Sequence, residues 1–88
     1  MTIEVVINVY VVSEKMDYVV DKLKLLPEVV DLYEVTGESD IITLVRTEDI
    51  GEFRDFLKNK LMKIEGVRST VTSVVLHKHK REGVIIEV

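Results

Sequence analysis

The strongest constraint on the fold is the order in which two kinds of apolar periodicity follow one another along the chain. Four runs rich in β-branched residues predict strands, at 3–12, 29–36, 41–47 and 67–76. Apolar residues three and four positions apart predict one helix after the first run and another after the third. The order strand, helix, strand, strand, helix, strand predicts an α+β, ferredoxin-like fold, with an antiparallel sheet and both helices on one face.

Each predicted helix has recognisable ends and one apolar stripe. Ser13 is the predicted N-cap of the first helix, and Pro27 ends it. The stripe of this helix consists of Met16, Val19, Val20 and Leu23. Asp49 is the predicted N-cap of the second helix, and Gly66 ends it. The stripe of the second helix consists of Ile50, Phe53, Leu57, Leu61 and Ile64.

Both faces of the predicted sheet carry apolar residues, although two helices cover only one of them. In the first strand Val5 and Ile7 point to one face, while Val6 and Tyr10 point to the other. High β-propensity accounts for some of these residues, but strands that are apolar on both faces usually need cover on both. A second copy of the chain, packed sheet against sheet, would cover the face that the helices leave exposed, so we expect a homodimer.

Composition and charge exclude several classes of protein. The 88-residue chain has no Cys, which excludes disulfides, thiol catalysis and a thiolate zinc site. It has no apolar run long enough for a membrane span and no signal-peptide pattern at its N-terminus, so we expect a cytoplasmic location. The net charge is −4 and the basic cluster Lys78, Lys80 and Arg81 is short, which disfavours direct binding to DNA.

Motifs of catalysis and of metal binding are missing from the sequence. There is no G-x-S-x-G, no H-E-x-x-H and no Gly-rich phosphate loop. His77 and His79 lie two apart and share one face of an extended segment, but two ligands are fewer than a zinc site usually has. We therefore expect no metal, no cofactor and no enzymatic activity.

Small and polar residues cluster at the turn between the second and third strands, at 37–40. The composition suits a plain turn, in which Gly37 supplies a positive φ. It also suits a small polar pocket with donors and acceptors for the two charged ends of an amino acid. Two threonines that project on one face of the fourth strand are either good strand formers or ligand contacts. The candidate ligand-binding residues are Gly37, Glu38, Ser39, Asp40, Thr70 and Thr72.

Two segments resemble the effector-binding domain of the Lrp/AsnC (feast/famine) regulators. The segment VTGESDIITLV, at 35–45, is similar to the tG-x-x-D stretch of that family. The segment GVRSTVTSVVL, at 66–76, is similar to the family's GV-x-x-T-x-T entry to the fourth strand. The resemblance covers 3–76. It implies a dimer of face-to-face sheets, often four such dimers in a ring as an octamer, and amino-acid effectors bound at subunit interfaces.

The resemblance also assigns roles by position. The family's Gly and Asp fall on Gly37 and Asp40, and its two threonines fall on Thr70 and Thr72. The positions between the Gly and the Asp, 38–39, vary in the family, which implies that they tune which effector side chain is accepted.

One departure from the family pattern is large. The regulators begin with a helix-turn-helix domain, whereas this sequence starts at the first strand of the effector domain. We therefore expect a stand-alone version, with an effector-binding domain at 1–76 and a C-terminal basic segment at 77–88. In that segment 82–83 is a predicted turn and 84–88 a predicted short fifth strand.

Such a domain is expected to modulate transcription regulators or amino-acid metabolism through oligomer assembly, including hetero-assembly with full-length Lrp/AsnC regulators. Three alternatives stay open: an ACT-like enzyme-regulatory module, a dimeric α+β barrel enzyme, and an interaction module without a ligand. The T-x-T spacing argues against the first, and the shortage of catalytic side chains argues against the second.

Overall fold

The computed structural model describes residues 2–86, which form a four-stranded sheet, two helices and a C-terminal hairpin. The elements are β1 (Ile3–Val11), α1 (Met16–Leu23), β2 (Val29–Glu34), β3 (Ile41–Thr47), α2 (Ile50–Asn59), β4 (Val67–Val74), β5 (Lys80–Arg81) and β6 (Val84–Ile85). Single turns of 3-10 helix precede α1 at Ser13–Lys15 and follow α2 at Leu61–Lys63.

The sheet has the strand order β2-β3-β1-β4, and each neighbouring pair is antiparallel. The central strand β1 places Val5 opposite Val45 of β3 on one side and opposite Val74 of β4 on the other. Two right-handed strand–helix–strand units give this order when their strands interleave. The predicted ferredoxin-like fold is therefore confirmed.

The core lies between the helices and one face of the sheet, which we call the helix face. Alternate residues of β1 point into it: Val5, Ile7 and Val9 are fully buried. The helices contribute the buried residues Val19, Leu23, Phe53 and Phe56. Burying a side chain of this size contributes about 1.5–3 kcal/mol to the free energy of unfolding. The apolar stripe predicted for the first helix is confirmed, since its other two members, Met16 and Val20, pack against this core.

The start of α1 differs from the prediction. Ser13 lies within the 3-10 turn and the N-cap position of α1 is Lys15, so the N-cap predicted at Ser13 is wrong. The chain leaves β1 in this tight turn because it packs against the start of β4. The Val12 N–H donates to the carbonyl of Gly66 at 2.8 Å. Gly66 has a φ of +104°, and a Cβ atom there would overlap the side chain of Lys15.

The start of α2 agrees with the prediction, but its buried face is shifted. The Asp49 carboxylate accepts a hydrogen bond from the Glu52 N–H at 2.8 Å, which confirms the predicted N-cap. Ile50 is 56% exposed and lies outside the core cluster, whereas Phe56 is buried. The helix also ends at Asn59, because the chain tightens into the 3-10 turn before β4.

The opposite face of the sheet, which we call the open face, carries no helix within residues 2–86. The strand register assigns to it Val6, Asn8, Tyr10, Asp31, Tyr33, Ile42, Leu44 and Val71. Tyr33 is 58% exposed and Val71 is 54% exposed. The prediction that both faces carry apolar residues is therefore correct, and part of this apolar surface faces outward.

The C-terminal segment, 75–86, which we call the tail, forms a separate hairpin, and its second strand, β6, lies within the short strand predicted at 84–88. β5 and β6 pair only with each other in the described range, with Arg81 opposite Val84. The turn residues Glu82 and Gly83 both have positive φ, as a two-residue hairpin turn requires. Residues 87 and 88 of the predicted strand lie outside the described residues. Neither α1 nor α2 has the length and apolarity needed to cross a bilayer.

Candidate functional site

The loop between β2 and β3, at 35–40, contains four of the six predicted ligand-binding residues. Gly37 has a φ of +118°, which confirms the positive φ expected of it. Glu38 is exposed, whereas Ser39 is buried, with 8% exposure. The loop thus presents one carboxylate to solvent and holds one hydroxyl against the protein.

Asp40 fixes this loop to the end of β1 through its backbone and its carboxylate. Its N–H donates to the Val9 carbonyl at 3.1 Å, and its carbonyl accepts from the Val35 N–H at 3.0 Å. Its carboxylate oxygen Oδ2 accepts from the Val11 N–H at 2.9 Å. β3 begins at Ile41, opposite Val9, so Val11 has no β3 partner and the Asp40 side chain supplies the acceptor.

Thr70 and Thr72 lie on β4, which is an edge strand. Thr70 is paired with Val9 and Thr72 with Ile7, so both side chains point to the helix face. Thr72 is exposed, and Thr70 is half-buried with its hydroxyl 4.0 Å from the Met62 sulfur. The two hydroxyls therefore border the helix face where the helices no longer cover it.

The loop and the two threonines lie near one end of the sheet but on opposite sides of β1. Val9 is paired with Ile41, the residue after the loop, on one side and with Thr70 on the other. Two strand spacings separate Ile41 from Thr70, which is about 10 Å. The predicted residues therefore lie near the same end of the sheet but on opposite sides of β1. Within one chain they do not line a single pocket.

A charged cluster that the sequence analysis did not single out lies at the other end of β1. Glu4 is 5% exposed and its carboxylate contacts three cations. Arg46, its register partner on β3, donates through Nε at 2.9 Å. From the tail, Arg81 donates through Nη2 at 3.0 Å and Lys78 forms an ion pair at 3.3 Å. We call these four residues the Glu4 cluster.

Opposing effects act on the pKa of Glu4. Burial raises it, but hydrogen bonds from Arg81, Arg46 and Lys78 outweigh that effect and lower it from its usual 4.5 to about 2. Glu4 is therefore a buried carboxylate that stays charged because cations surround it. A carboxylate within a strand of Val and Ile was the sequence signal for such a cluster, since a buried charge needs a partner.

Two open clefts border the tail. One, of about 410 Å³, is lined on one side by Ile3 and Glu4 and on the other by tail residues from Val75 to Lys78 and Ile86. The other, of about 360 Å³, lies between β2 and the hairpin turn and is lined by Val30, Asp31, Tyr33, Arg81 and Glu82. None of the six predicted ligand-binding residues lines either cleft.

The two histidines lie in the irregular segment that follows β4. The rings of His77 and His79 are 4.6 Å apart, and both residues are exposed. Within residues 2–86, they do not join other ligating side chains in a cluster of three or more.

Most of the chain is similar to one known protein family. A family model described as the Lrp/AsnC ligand binding domain matches residues 4–85, which extends through β6. The HTH-type transcriptional regulator FL11 of Pyrococcus furiosus is 39% identical over 74 residues, which are 84% of this chain and 48% of FL11. The chain thus spans about half the length of the curated relatives that it matches.

Solved structures share the fold. TTHA0845 from Thermus thermophilus superposes with a TM-score of 0.83 at 26% identity, over 90% of this chain and 99% of that chain. The transcriptional regulator NMB0573 from Neisseria meningitidis, solved in complex with L-Met, superposes with a TM-score of 0.76 at 26% identity, over 90% of this chain and 53% of that chain.

One relative is an enzyme. The homocitrate synthase of Sulfurisphaera tokodaii is 34% identical over 71 residues, which are 81% of this chain and 14% of that protein.

Proposed function

The chain belongs to the Lrp/AsnC ligand-binding domain family, and we propose that it binds a small amino-acid effector at a subunit interface. The effector changes oligomer assembly, and assembly in turn modulates transcription regulators or amino-acid metabolism. The domain is regulatory and has no catalytic activity of its own. It acts in the cytoplasm. The L-Met complex of NMB0573 supports an amino acid as the class of effector.

The observation that carries this proposal is the separation between the 35–40 loop and the β4 threonines. Asp40 offers a carboxylate oxygen for an ammonium group, and Thr70 offers a hydroxyl, but β1 lies between them. An amino acid that contacts both groups therefore needs the loop of one chain and the threonine of another. Such a ligand binds the assembled state better than the separate chains, so it shifts the assembly equilibrium.

A homodimer is the proposed minimal assembly, with the two open faces packed against each other. The exposed Tyr33 and Val71 supply apolar contact area on this face. Four such dimers assemble further into a tetramer of dimers. A chain also co-assembles with a full-length Lrp/AsnC regulator, whose effector domain takes the place of the second copy.

The first test measures binding and assembly together. The standard L-amino acids are screened singly at millimolar concentration by thermal shift, and each hit is followed by sedimentation velocity with and without the ligand. We expect at least one amino acid to raise both the unfolding temperature and the average mass. A protein that responds to none of them is an interaction module without a ligand, and the proposal fails.

The second test locates the binding groups. In Asp40→Asn the amide oxygen still accepts from the Val11 N–H, so the loop keeps its anchor while the ligand loses a charge. Thr70→Val removes the hydroxyl and keeps the β-branched shape. Each homomeric variant is expected to bind the hit about tenfold more weakly, because a hydrogen bond to a charged group contributes about 1.5–3 kcal/mol.

Mixed assemblies distinguish an interface site from a site within one chain. An Asp40→Asn chain and a Thr70→Val chain, co-expressed with different tags, form one intact site in each heterodimer if the loop and the threonine come from different subunits. Isothermal titration of the purified heterodimer should then recover about half of the wild-type sites. A heterodimer that binds as weakly as both homomeric variants would contradict the interface.

Effector preference is assigned to the two residues between Gly37 and Asp40. In this proposal the exposed Glu38 and the buried Ser39 contact the effector side chain. If Glu38→Ala and Ser39→Ala both leave the ranking of the amino acids unaltered, this assignment is wrong.

A second candidate function is the control of an enzyme, and the similarity to part of a homocitrate synthase favours it. The same ligand site then acts on a catalytic partner rather than on a transcription regulator. Affinity capture with the tagged chain, with and without the amino-acid hit, separates the two: an Lrp/AsnC regulator supports the first function and an enzyme of amino-acid synthesis the second.

A further inference from the structure

The two edge strands of the sheet, β2 and β4, differ in how they are protected from other strands. β2 has an extra residue at Val30, where its register on β3 shifts, and it carries the acidic residues Asp31 and Glu34. Bulges and charges of this kind keep sheet edges from pairing with other chains. β4 runs regularly along β1 from Ser69 to Val74, and this stretch contains no charged residue, Pro or Gly. An edge strand of this composition is a template for another strand.

The backbone groups on the outer side of β4 belong to alternate residues. The Val75 N–H donates to the Glu4 carbonyl of β1 at 2.8 Å. Hydrogen-bonding groups alternate between the two sides of a strand in an antiparallel ladder, so those of Val71 also face β1. The N–H and C=O groups of Thr70 and Thr72 therefore face away from β1, in the plane of the sheet. Six of the eight residues of β4 are exposed, so a second strand has access to this edge.

The sequence of β4 is symmetric about Val71. The segment 69–73 reads STVTS in both directions, and Arg68, the charged residue of β4, lies outside it where the register on β1 shifts. When two such strands pair antiparallel about a two-fold axis at Val71, Thr70 lies opposite Thr72 of the second copy. Both residues turn their N–H and C=O groups outward, so each such pair exchanges two hydrogen bonds. The backbone alternation and the sequence symmetry thus require the same axis.

The side chains agree with this pairing. Thr70 and Thr72 point to the helix face, so each threonine has a threonine as its cross-strand neighbour. Val71, which is 54% exposed, meets Val71 of the second copy in a pair without hydrogen bonds, where side chains come closest. The open-face contact would cover Val71 from above the sheet, whereas the edge contact reaches it from the side. The two contacts therefore do not compete.

We propose that β4 pairs with β4 of a second copy, antiparallel and centred on Val71, so that two four-stranded sheets become one sheet of eight strands. The partner is a second copy because the symmetric segment places threonine opposite threonine and serine opposite serine. The contact goes beyond the proposed function, since it needs neither the effector nor the open-face dimer. Where both contacts form, each chain has two neighbours, and the edge contact links one face-to-face dimer to the next.

Cysteine cross-linking tests the register of the pairing. The chain has no cysteine, so Thr70→Cys and Thr72→Cys each introduce a single thiol. Position 70 of one copy and position 72 of the other lie opposite each other in the proposed pairing, about 5.5 Å apart at Cα, which suits a disulfide. Both side chains point to the helix face, which the open-face contact does not bring together. The two proteins carry different tags and are mixed and mildly oxidised without any amino acid.

The separate proteins are the controls for the mixture. Like positions are diagonal neighbours in the proposed pairing, about 7–8 Å apart, which is too far for an unstrained disulfide. We therefore expect the mixed disulfide dimer to form faster and in higher yield than the dimer of either protein alone. A mixture that yields no more disulfide dimer than the separate proteins overturns the proposal.

Proline substitution tests the backbone hydrogen bonds. Thr72→Pro removes an outward N–H and leaves the ladder with β1 intact. Glu34→Pro is the matched control on the other edge: the Val35 N–H donates to the Asp40 carbonyl, so the Glu34 N–H faces outward from β2. Sedimentation velocity without amino acids, over a range of protein concentrations, gives the average mass. Thr72→Pro should weaken association about tenfold or more, because each copy loses a hydrogen bond at the axis, while Glu34→Pro should associate like the wild type.

The same measurements separate this contact from the proposed open-face dimer. Larger assemblies of the wild type together with a dimeric Thr72→Pro variant support both contacts. A dimeric wild type with a monomeric variant supports the edge contact and contradicts the open-face dimer. A folded Thr72→Pro protein with the same mass as the wild type at every concentration overturns the edge contact, whichever amino acids bind. Circular dichroism verifies folding, and if Thr72→Pro is unfolded the cross-linking result decides.

Discussion

Replacing Glu4 with Gln removes the negative charge around which Arg46, Lys78 and Arg81 converge. Gln has the same shape and still offers one oxygen as an acceptor, so the cavity that it fills stays filled. What changes is electrostatic: three cations are left close to one another without their shared carboxylate. Two of the three belong to the tail, so the substitution should weaken both the fold and the attachment of the tail.

The magnitude follows from the pKa of Glu4. A pKa lowered from 4.5 to about 2 corresponds to at most about 3 kcal/mol of stability at neutral pH. The cation side chains are 36–43% exposed, so water and salt screen their interaction with Glu4. We therefore expect Glu4→Gln to lower the free energy of unfolding by about 1–2 kcal/mol, and less at high salt.

The pH dependence has a definite sign. Because the folded-state pKa is depressed, the contribution of Glu4 is complete above about pH 5. It is lost as the pH falls from about 4.5 towards about 2, because the unfolded chain takes up a proton before the folded chain does. Glu4→Gln should therefore reduce the difference in stability between pH 7 and pH 3.

The assay is urea denaturation of the wild type and the variant at one protein concentration, at pH 7 and at pH 3, because assembly makes stability depend on concentration. Limited trypsin digestion at Lys78, Lys80 and Arg81 reports on the tail, and cleavage there should be faster in the variant. Glu14→Gln, an exposed position in the 3-10 turn, is the control. Equal stability of Glu4→Gln and the wild type at both pH values, with equal rates of tail cleavage, would refute the reasoning.

Three further predictions concern the fold. Gly66→Ala should lower the free energy of unfolding in urea by roughly 2 kcal/mol or more, because the added Cβ has no room. Gly37→Ala, also at positive φ but in open space, should lower it by about 1 kcal/mol. Equal losses of stability in the two variants would show that the close contact at Gly66 is unimportant. Asp49→Ala should cost about 1 kcal/mol through the lost N-cap, and an unchanged thermal midpoint would contradict that role. Phe56→Ala should cost about 3–5 kcal/mol while the exposed Ile50→Ala changes little, and the reverse order would mean that the second helix is rotated.

The fold was predictable from the sequence because its signals are local and repeated. A strand such as β1 shows its two faces through alternation, and α1 shows its stripe through residues three and four apart. The details that failed depend on contacts with distant residues. Ser13 suits an N-cap by its type, but the tight approach of the chain to Gly66 places it in a 3-10 turn. Phe56 was missed because the predicted stripe began at Ile50, which the core does not cover.

The candidate site was predictable only in part. Gly37 and Asp40 were assigned through a short motif, and the structure adds that Asp40 anchors the loop to β1. Whether these residues contact an effector stays a prediction. The sequence signals that a buried Glu4 needs a cation, but not which one, because Glu4 meets Arg46 and Arg81 from 42 and 77 residues away. Sequence periodicity shows which face a charge lies on but not which distant charge it meets.

The separation of the loop from the threonines also limits how strongly an effector can act. An effector that spans two subunits stabilises the assembly only by the difference between its affinities for the assembled and the separate chains. Each tenfold difference supplies about 1.4 kcal/mol, and one lost hydrogen bond to a charged group accounts for about one such step. Asp40 and Thr70 together then supply about two such steps, which shifts an assembly equilibrium only at protein concentrations near its midpoint. The response of this domain to its effector should therefore be graded, and it should follow protein concentration as closely as it follows effector concentration.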